Sequence, residues 1–151
     1  MAPRVPTAQM VEDHKSHFLN VDLHVESRED PASLAAALSK DLCSQSWKLG
    51  RMHHLHGSAY RKGTPSQIIL ALSVPLKRLR GAARAVWSRA SVKEFDIGID
   101  AGFDRRAGEW IVSAEAVQAV ARLGGQIRVT VYRPDLALAP ERAAGKSERR
   151  R

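Results

Sequence analysis

The stretch LNVDLHVE, residues 19–26, alternates apolar and polar side chains at every step. In an extended chain, its apolar residues from Leu19 to Val25 would point to one side and its polar residues to the other. This pattern predicts a β-strand with one face in the core and one face in water. The side chains expected in water are Asn20, Asp22, His24 and Glu26.

Two later stretches alternate in the same way and predict two more half-buried strands. They are FDIGID, residues 95–100, and IRVTVY, residues 127–132. One further strand is predicted within residues 47–60, bent at Gly50 or Gly57. Another is predicted over residues 67–74, where QIILALSV is short and rich in branched residues. The polar sides of the two alternating stretches add Asp96, Asp100, Arg128, Thr130 and Tyr132 to the face in water.

Three helices are predicted between these strands. Asp30-Pro31 supplies a cap and a first helical position for a helix with a leucine edge over residues 34–42. Pro75 opens a second helix, and Ser113 caps a third, which stops at Gly124-Gly125.

The predicted order of elements is β-α-β-β-α-β-α-β. Helices must cover an apolar face, and these strands have only one. The sequence therefore predicts an α+β domain built as a two-layer sandwich, with a mainly antiparallel sheet of about five strands and two to three helices on one face. The other face of the sheet would be open to water.

Length, charge and composition set the domain boundaries. The 151 residues, 44% hydrophobic and 26% charged, suit one domain, predicted over residues 17–136. The net charge is +8, of which +3 falls in residues 137–151, predicted to be a disordered basic tail. Residues 1–16 are predicted to be a flexible N-terminal segment without a secretory signal.

The same composition bears on location and covalent structure. The longest apolar stretch, residues 68–74, falls far short of the roughly 20 residues that span a bilayer, so no membrane association is expected. The single cysteine, Cys43, cannot form an intramolecular disulfide, which is typical of a cytoplasmic protein.

Four segments resemble a bacterial family described as a domain of unknown function, DUF4279-like. They are WSRA at residues 87–90, FDIGI at 95–99, the helix from Ser113 to Gly124, and IRVTVY at 127–132. The likeness covers about residues 18–133 and implies the same layout of strands and helices. Such domains look like some immunity proteins that neutralise toxins, so the resemblance implies a protein partner; it brings no catalytic residues.

The leading functional hypothesis is a non-enzymatic protein-interaction domain of the immunity-inhibitor type. It would bind its partner, as a monomer or a small homo-oligomer, through the open sheet face. No cofactor is expected, and the sequence contains no phosphate-binding loop, dinucleotide fingerprint or nucleophile elbow. The residues predicted to contact the partner are Asp22, His24, Glu26, Asp96, Asp100, Arg128 and Tyr132.

Two alternative functions remain. Lys77, Arg80 and Arg84 form a predicted basic stripe that could contact nucleic-acid phosphates together with the basic tail. A metal-dependent enzyme is the third hypothesis, based on the histidines at 53–56. His54 and His56 would share one face of a strand, and His24 or a nearby carboxylate could complete a set of three ligands if its strand were adjacent.

Overall fold

The structure is a computed structural model that describes residues 15–59, 61–102 and 108–133. Apart from residues 15 and 16, the predicted flexible segment 1–16 lies outside the described residues, as does the predicted tail 137–151. Among the described residues, no helix has the length and apolar character required to cross a membrane. The elements are β1 (His17–Ser27), α1 (Ala32–Leu38), β2 (Cys43–Leu49), β3 (Met52–Ser58), α2 (Pro65–Lys77), α3 (Gly81–Arg89), β4 (Val92–Asp100), α4 (Ala114–Arg122) and β5 (Gln126–Tyr132).

The five strands form one sheet in the order β2-β3-β1-β4-β5. All neighbours are antiparallel except β4 and β5, which run parallel because α4 crosses between them. The β2–β3 hairpin turns at Gly50, whose φ of 60° lies in the left-handed region that glycine adopts freely. The chain is thus an α+β protein with a mainly antiparallel sheet, as predicted.

One face of the sheet packs on the helices and forms the core. Val21, Leu23 and Val25 of β1 and Phe95 of β4 are at most 1% exposed. The indole nitrogen of Trp87 in α3 donates a hydrogen bond of 3.2 Å to the carbonyl of the residue that follows α4, which joins two helices within this layer. The alternation of β1 and β4 therefore marks the buried face correctly over the centre of the sheet.

The prediction of a strand over residues 67–74 is wrong, because this run forms the middle of α2. A capping box starts the helix: Thr64 Oγ1 accepts from the Gln67 backbone N–H at 3.3 Å, and Gln67 Oε1 accepts from the Thr64 N–H at 2.9 Å. Ile68, Leu72 and Leu76 are buried on the side of the helix that faces the core. A short apolar run fits a buried helix as well as a buried strand, and the cap decides between them.

The prediction that Pro75 opens a helix is also wrong. Pro75 lies inside the last turn of α2, which ends at Lys77, and a separate helix, α3, begins at Gly81. The link between them runs through Arg80 in an extended conformation. The chain thus has four helices among the described residues, where two to three were predicted.

Two further boundaries differ from the predictions. Residues 47–60 were expected to contain one bent strand, but β2 and β3 divide there at Gly50. The first helix ends at Leu38, and Cys43, which the leucine spacing had placed near a helix end, begins β2 with an exposed side chain.

A β-bulge changes the direction of one residue in β1. The register with β4 shifts between Phe18 and Asn20, so Phe18 pairs with Ile99 of the buried face. Leu19 is 46% exposed, and its Cβ would lie 3.7 Å from a Cβ added to Gly98. Leu19 therefore belongs to the open face, whereas the simple alternation had placed it in the core.

An exposed ion pair connects the loop after β1 to α3. Arg89 approaches Glu29 with Nε at 2.6 Å from Oε1 and Nη2 at 2.8 Å from Oε2. The hydrogen bond from the guanidinium lowers the pKa of the Glu29 carboxyl and raises that of Arg89. This bidentate contact fixes the loop against the helix layer.

Candidate functional site

Three residues singled out in the sequence, His24, Glu26 and His54, converge on the open face near the C-terminal end of β1. His24 and Glu26 lie two positions apart on β1, so both point away from the helices. β3 is adjacent to β1, and its register places His54 directly opposite Glu26. The sequence predicted a third ligand only if the strands of His24 and His54 were adjacent. β1 and β3 are adjacent, so this condition is met.

The donor atoms of these three side chains form a nearly equilateral triangle. His24 Nε2 lies 3.5 Å from His54 Nδ1 and 3.7 Å from Glu26 Oε1. His54 Nδ1 lies 3.7 Å from the same oxygen. Each of the three residues offers one ligand atom within a radius suited to a single metal ion.

These spacings match the size of a bound ion. The point in their plane that is equidistant from the three atoms lies about 2.1 Å from each, which is close to zinc–nitrogen and zinc–oxygen bond lengths. The side chains of His24, Glu26 and His54 are 18%, 30% and 13% exposed. They are therefore held by their neighbours and still reachable from water.

A buried carboxylate, Glu94 of β4, lies on the other side of His24. Its Oε1 is 3.7 Å from His24 Nδ1, and the side chain is only 1% exposed. Glu94 Oε2 accepts a 2.7 Å hydrogen bond from Gln126 Nε2, and Arg128 Nε lies 3.0 Å from Oε1. Two residues of β5 thus supply the polar and charged contacts that a buried carboxylate requires.

Trp47 of β2 covers the other end of the cluster. Its ring stacks on His54 with 5.2 Å between centroids and 5° between planes. The centroid of His24 lies 6.5 Å from that of Trp47 and 5.8 Å from that of His54. The centroids of the three rings therefore form a triangle, and the half-exposed indole covers one side of His54.

His53 and His56 do not join this cluster. His56 lies on the open face, but its Nε2 is 3.4 Å from Asp22 Oδ2. Asp22 Oδ1 also accepts a 2.6 Å hydrogen bond from Ser58. His53 alternates to the opposite side of β3. The structure therefore does not bring His54 and His56 together, because His54 contacts His24 and Glu26 while His56 contacts Asp22.

The remaining predicted contact residues lie on the same face, at a distance from the cluster. Asp96 accepts hydrogen bonds of 2.7 and 2.9 Å from Thr130 Oγ1, and Asp100 lies 3.8 Å from His17 Nε2. Tyr132 lies over Gly98, whose added Cβ would be 3.5 Å from the tyrosine ring. Arg128 pairs with Glu94, with 3.0 Å between Nε and Oε1.

The predicted basic stripe does not form one continuous helical face. Lys77 ends α2, Arg84 lies in α3, and Arg80 precedes α3 with its Nη1 donating 3.0 Å to the Leu79 carbonyl. The three cations are thus distributed over two helices and the link between them.

Sequence reasoning missed two members of the cluster, Glu94 and Trp47. Extending the alternation of residues 95–100 back by one position would have placed Glu94 on the face of Asp96. Trp47 carries no comparable signal, because β2 is an edge strand exposed along nearly all its length and its register depends on the turn at Gly50.

Comparison of the chain with protein-family models, with curated proteins and with solved structures found no match. The resemblance to the DUF4279-like family therefore stays a prediction.

Proposed function

We propose that this protein binds one divalent transition-metal ion between His24, Glu26 and His54. The observation that carries the proposal is the triangle of donor atoms, with sides of 3.5, 3.7 and 3.7 Å, on two paired strands. Glu94 adds support, because it is a nearly fully buried carboxylate directed at one of the ligands. Metal-ligating histidines characteristically have such a partner on their second ring nitrogen.

The ligand types limit which ion would bind. Two imidazoles and one carboxylate suit Zn²⁺, Fe²⁺ or Ni²⁺, whereas Mg²⁺ and Ca²⁺ prefer oxygen ligands alone. Three protein ligands also leave at least one coordination position for water or a small ligand. The site therefore belongs to the open type, which is the type that metalloenzymes use.

Zinc titration of the metal-free protein by calorimetry tests the proposal. We expect one Zn²⁺ per chain, and we expect His54→Gln to weaken binding by at least about 100-fold, since a lost ligand costs no less than a lost outer contact. His56→Gln is the matched control, because this imidazole lies on the same strand and face but contacts Asp22. It should change the affinity by less than about threefold, a change within the ordinary range of surface substitutions.

The experiment is best carried out in a Cys43→Ser background, because the exposed thiol is itself a zinc ligand. The proposal is wrong if the protein takes up no zinc, or if the affinity falls equally in His54→Gln and His56→Gln. Packing of the three rings together with ordinary polar contacts would then account for the cluster.

A protein partner on the same face is the second candidate function. The observation that favours it is the apolar pair Leu19 and Tyr132, 46% and 49% exposed, which flank the gap above Gly98 away from the histidine cluster. Exposed aromatic and aliphatic side chains beside charged ones are typical of binding surfaces. The contact residues Asp96, Asp100 and Arg128 would then form its polar rim.

A nuclease-treated pull-down with the whole chain tests this second candidate. We expect one protein to be retained in near-equal amount by the wild type, and we expect Tyr132→Lys to lose at least about 90% of it, as at the anchor of an interface. Lys48→Ala, on the exposed edge strand β2, is the control and should retain it. Equal retention by Tyr132→Lys would show that the partner does not use this pair.

A further inference from the structure

Glu94 is an exception on the open face, because its neighbours are partly exposed and it is not. The side chain is 1% exposed, although β4 places it on the side of the sheet without helices. Burying a carboxylate is costly unless its oxygens have partners. The contacts of the two carboxylate oxygens therefore indicate what stabilises Glu94 in this buried position.

The two oxygens of Glu94 differ in their partners. Oε2 accepts the short hydrogen bond from Gln126. Oε1 has Arg128 Nε at 3.0 Å, but the N–H is not aligned with it, so this buried oxygen accepts no hydrogen bond. The other polar atom close to it is His24 Nδ1 at 3.7 Å. Oε1 thus has an unused acceptor position beside the imidazole of His24.

We infer that Glu94 is a positioning residue for the metal site, and that it holds His24 with the proton on Nδ1 and the lone pair on Nε2. This inference rests on the proposed metal site. A neutral imidazole has one N–H and one lone pair, so a hydrogen bond from Nδ1–H to Glu94 leaves Nε2 free to bind the ion. Closing the contact requires the 3.7 Å separation to shorten by about 0.8 Å.

The arrangement links the metal ligands to the far edge of the sheet. Gln126 and Arg128 belong to β5, which contributes no atom to the triangle. Through Glu94 they fix the angle of the His24 ring from two strands away. Arg128, which the sequence predicted to contact a protein partner, would therefore act on the metal site through Glu94.

Metal affinity of Glu94→Gln tests the inference against Asp96→Asn. Both variants remove one carboxylate from the same face of β4, but Asp96 contacts Thr130 and not His24. We expect Glu94→Gln to weaken Co²⁺ binding, followed by its visible spectrum, by about 10–100-fold, and Asp96→Asn by less than about threefold. Equal losses would show that Glu94 acts only through its charge and would overturn the inference.

The tautomer of His24 gives a second measurement that requires no metal. Nitrogen chemical shifts of ¹⁵N-histidine-labelled, metal-free wild type, read at about pH 8 where an ordinary imidazole is neutral, should show the proton of His24 on Nδ1. In Glu94→Gln the new amide can donate to Nδ1, and the proton should move toward Nε2. A wild-type His24 protonated on Nε2 would overturn the inference, even if Glu94→Gln did not fold.

The two proposals fail in different ways. If the wild type binds no Co²⁺ but His24 carries its proton on Nδ1, the metal site is wrong and the Glu94 contact is real. If the wild type binds Co²⁺ and Glu94→Gln binds it equally well, the metal site stands and Glu94 does not position it.

Discussion

Zinc at about 1,000 times its dissociation constant is expected to raise the free energy of unfolding by about 4 kcal/mol. For a chain of this size, that corresponds to a rise of roughly 8–16 °C in the melting temperature. The ligands come from β1 and β3 and are separated by 28–30 residues in the sequence, so the unfolded chain cannot hold the same triangle. An ion that binds the folded state alone stabilises it by mass action.

Thermal unfolding followed by circular dichroism, with zinc or with a chelator, measures this effect. Without metal, His54→Gln should melt somewhat below the wild type, because the imidazole is only 13% exposed and stacks on Trp47. The quantity to compare is therefore the rise that zinc causes in each variant, which for His54→Gln should be no more than about 2 °C. His56→Gln should show the full rise. A rise of equal size in His54→Gln would mean that zinc stabilises the protein at some other site.

The fold was predictable where the sequence alternates and not where it forms a short apolar run. β1 and β4 follow from period-two patterns, because a sheet with one covered face imposes that pattern on its strands. β5 is also a strand, as its alternation predicts, but Val129 and Val131 of its apolar side are 56% and 58% exposed at the edge of the sheet. The run at residues 67–74 is compatible with two structures, and only the Thr64 and Gln67 cap distinguishes them. The bulge at Leu19 follows from the pairing with β4, which no local pattern encodes.

The candidate site, like the fold, could be predicted from the sequence only in part. Alternation predicts that His24 and Glu26 point into water and that His54 shares a strand face with His56, but it does not predict that His24, Glu26 and His54 meet. Their meeting depends on β3 lying beside β1, and on a register that sets His54 opposite Glu26. A one-residue slip of β3 would turn His54 into the core and destroy the triangle. The strand order and register therefore carry the functional information that residue types alone lack.

Phe95→Ala is expected to cost about 3–5 kcal/mol of unfolding free energy, the usual penalty for deleting a fully buried phenylalanine. Phe95 is the largest side chain that is fully buried, and it lies between Leu23 of β1 and Ile127 of β5. Its ring also reaches 3.2 Å from the position of a Cβ added to Gly125, so it fills the space where the chain leaves α4. Chemical denaturation measures the loss, and a cost under about 1 kcal/mol would contradict this packing.

Val129→Ala is the control for this prediction, because Val129 points to the same side of the sheet from the neighbouring edge strand but is 56% exposed. It should cost less than about 1 kcal/mol.

Phe95 and Glu94 are consecutive residues of one strand and face opposite sides of it. Phe95→Ala should therefore lower stability and leave the zinc affinity of the folded protein within about threefold of the wild type, whereas Glu94→Gln should lower affinity about 10–100-fold. Separation of the two effects would show that the helical face of the sheet maintains the fold and the open face binds the ion.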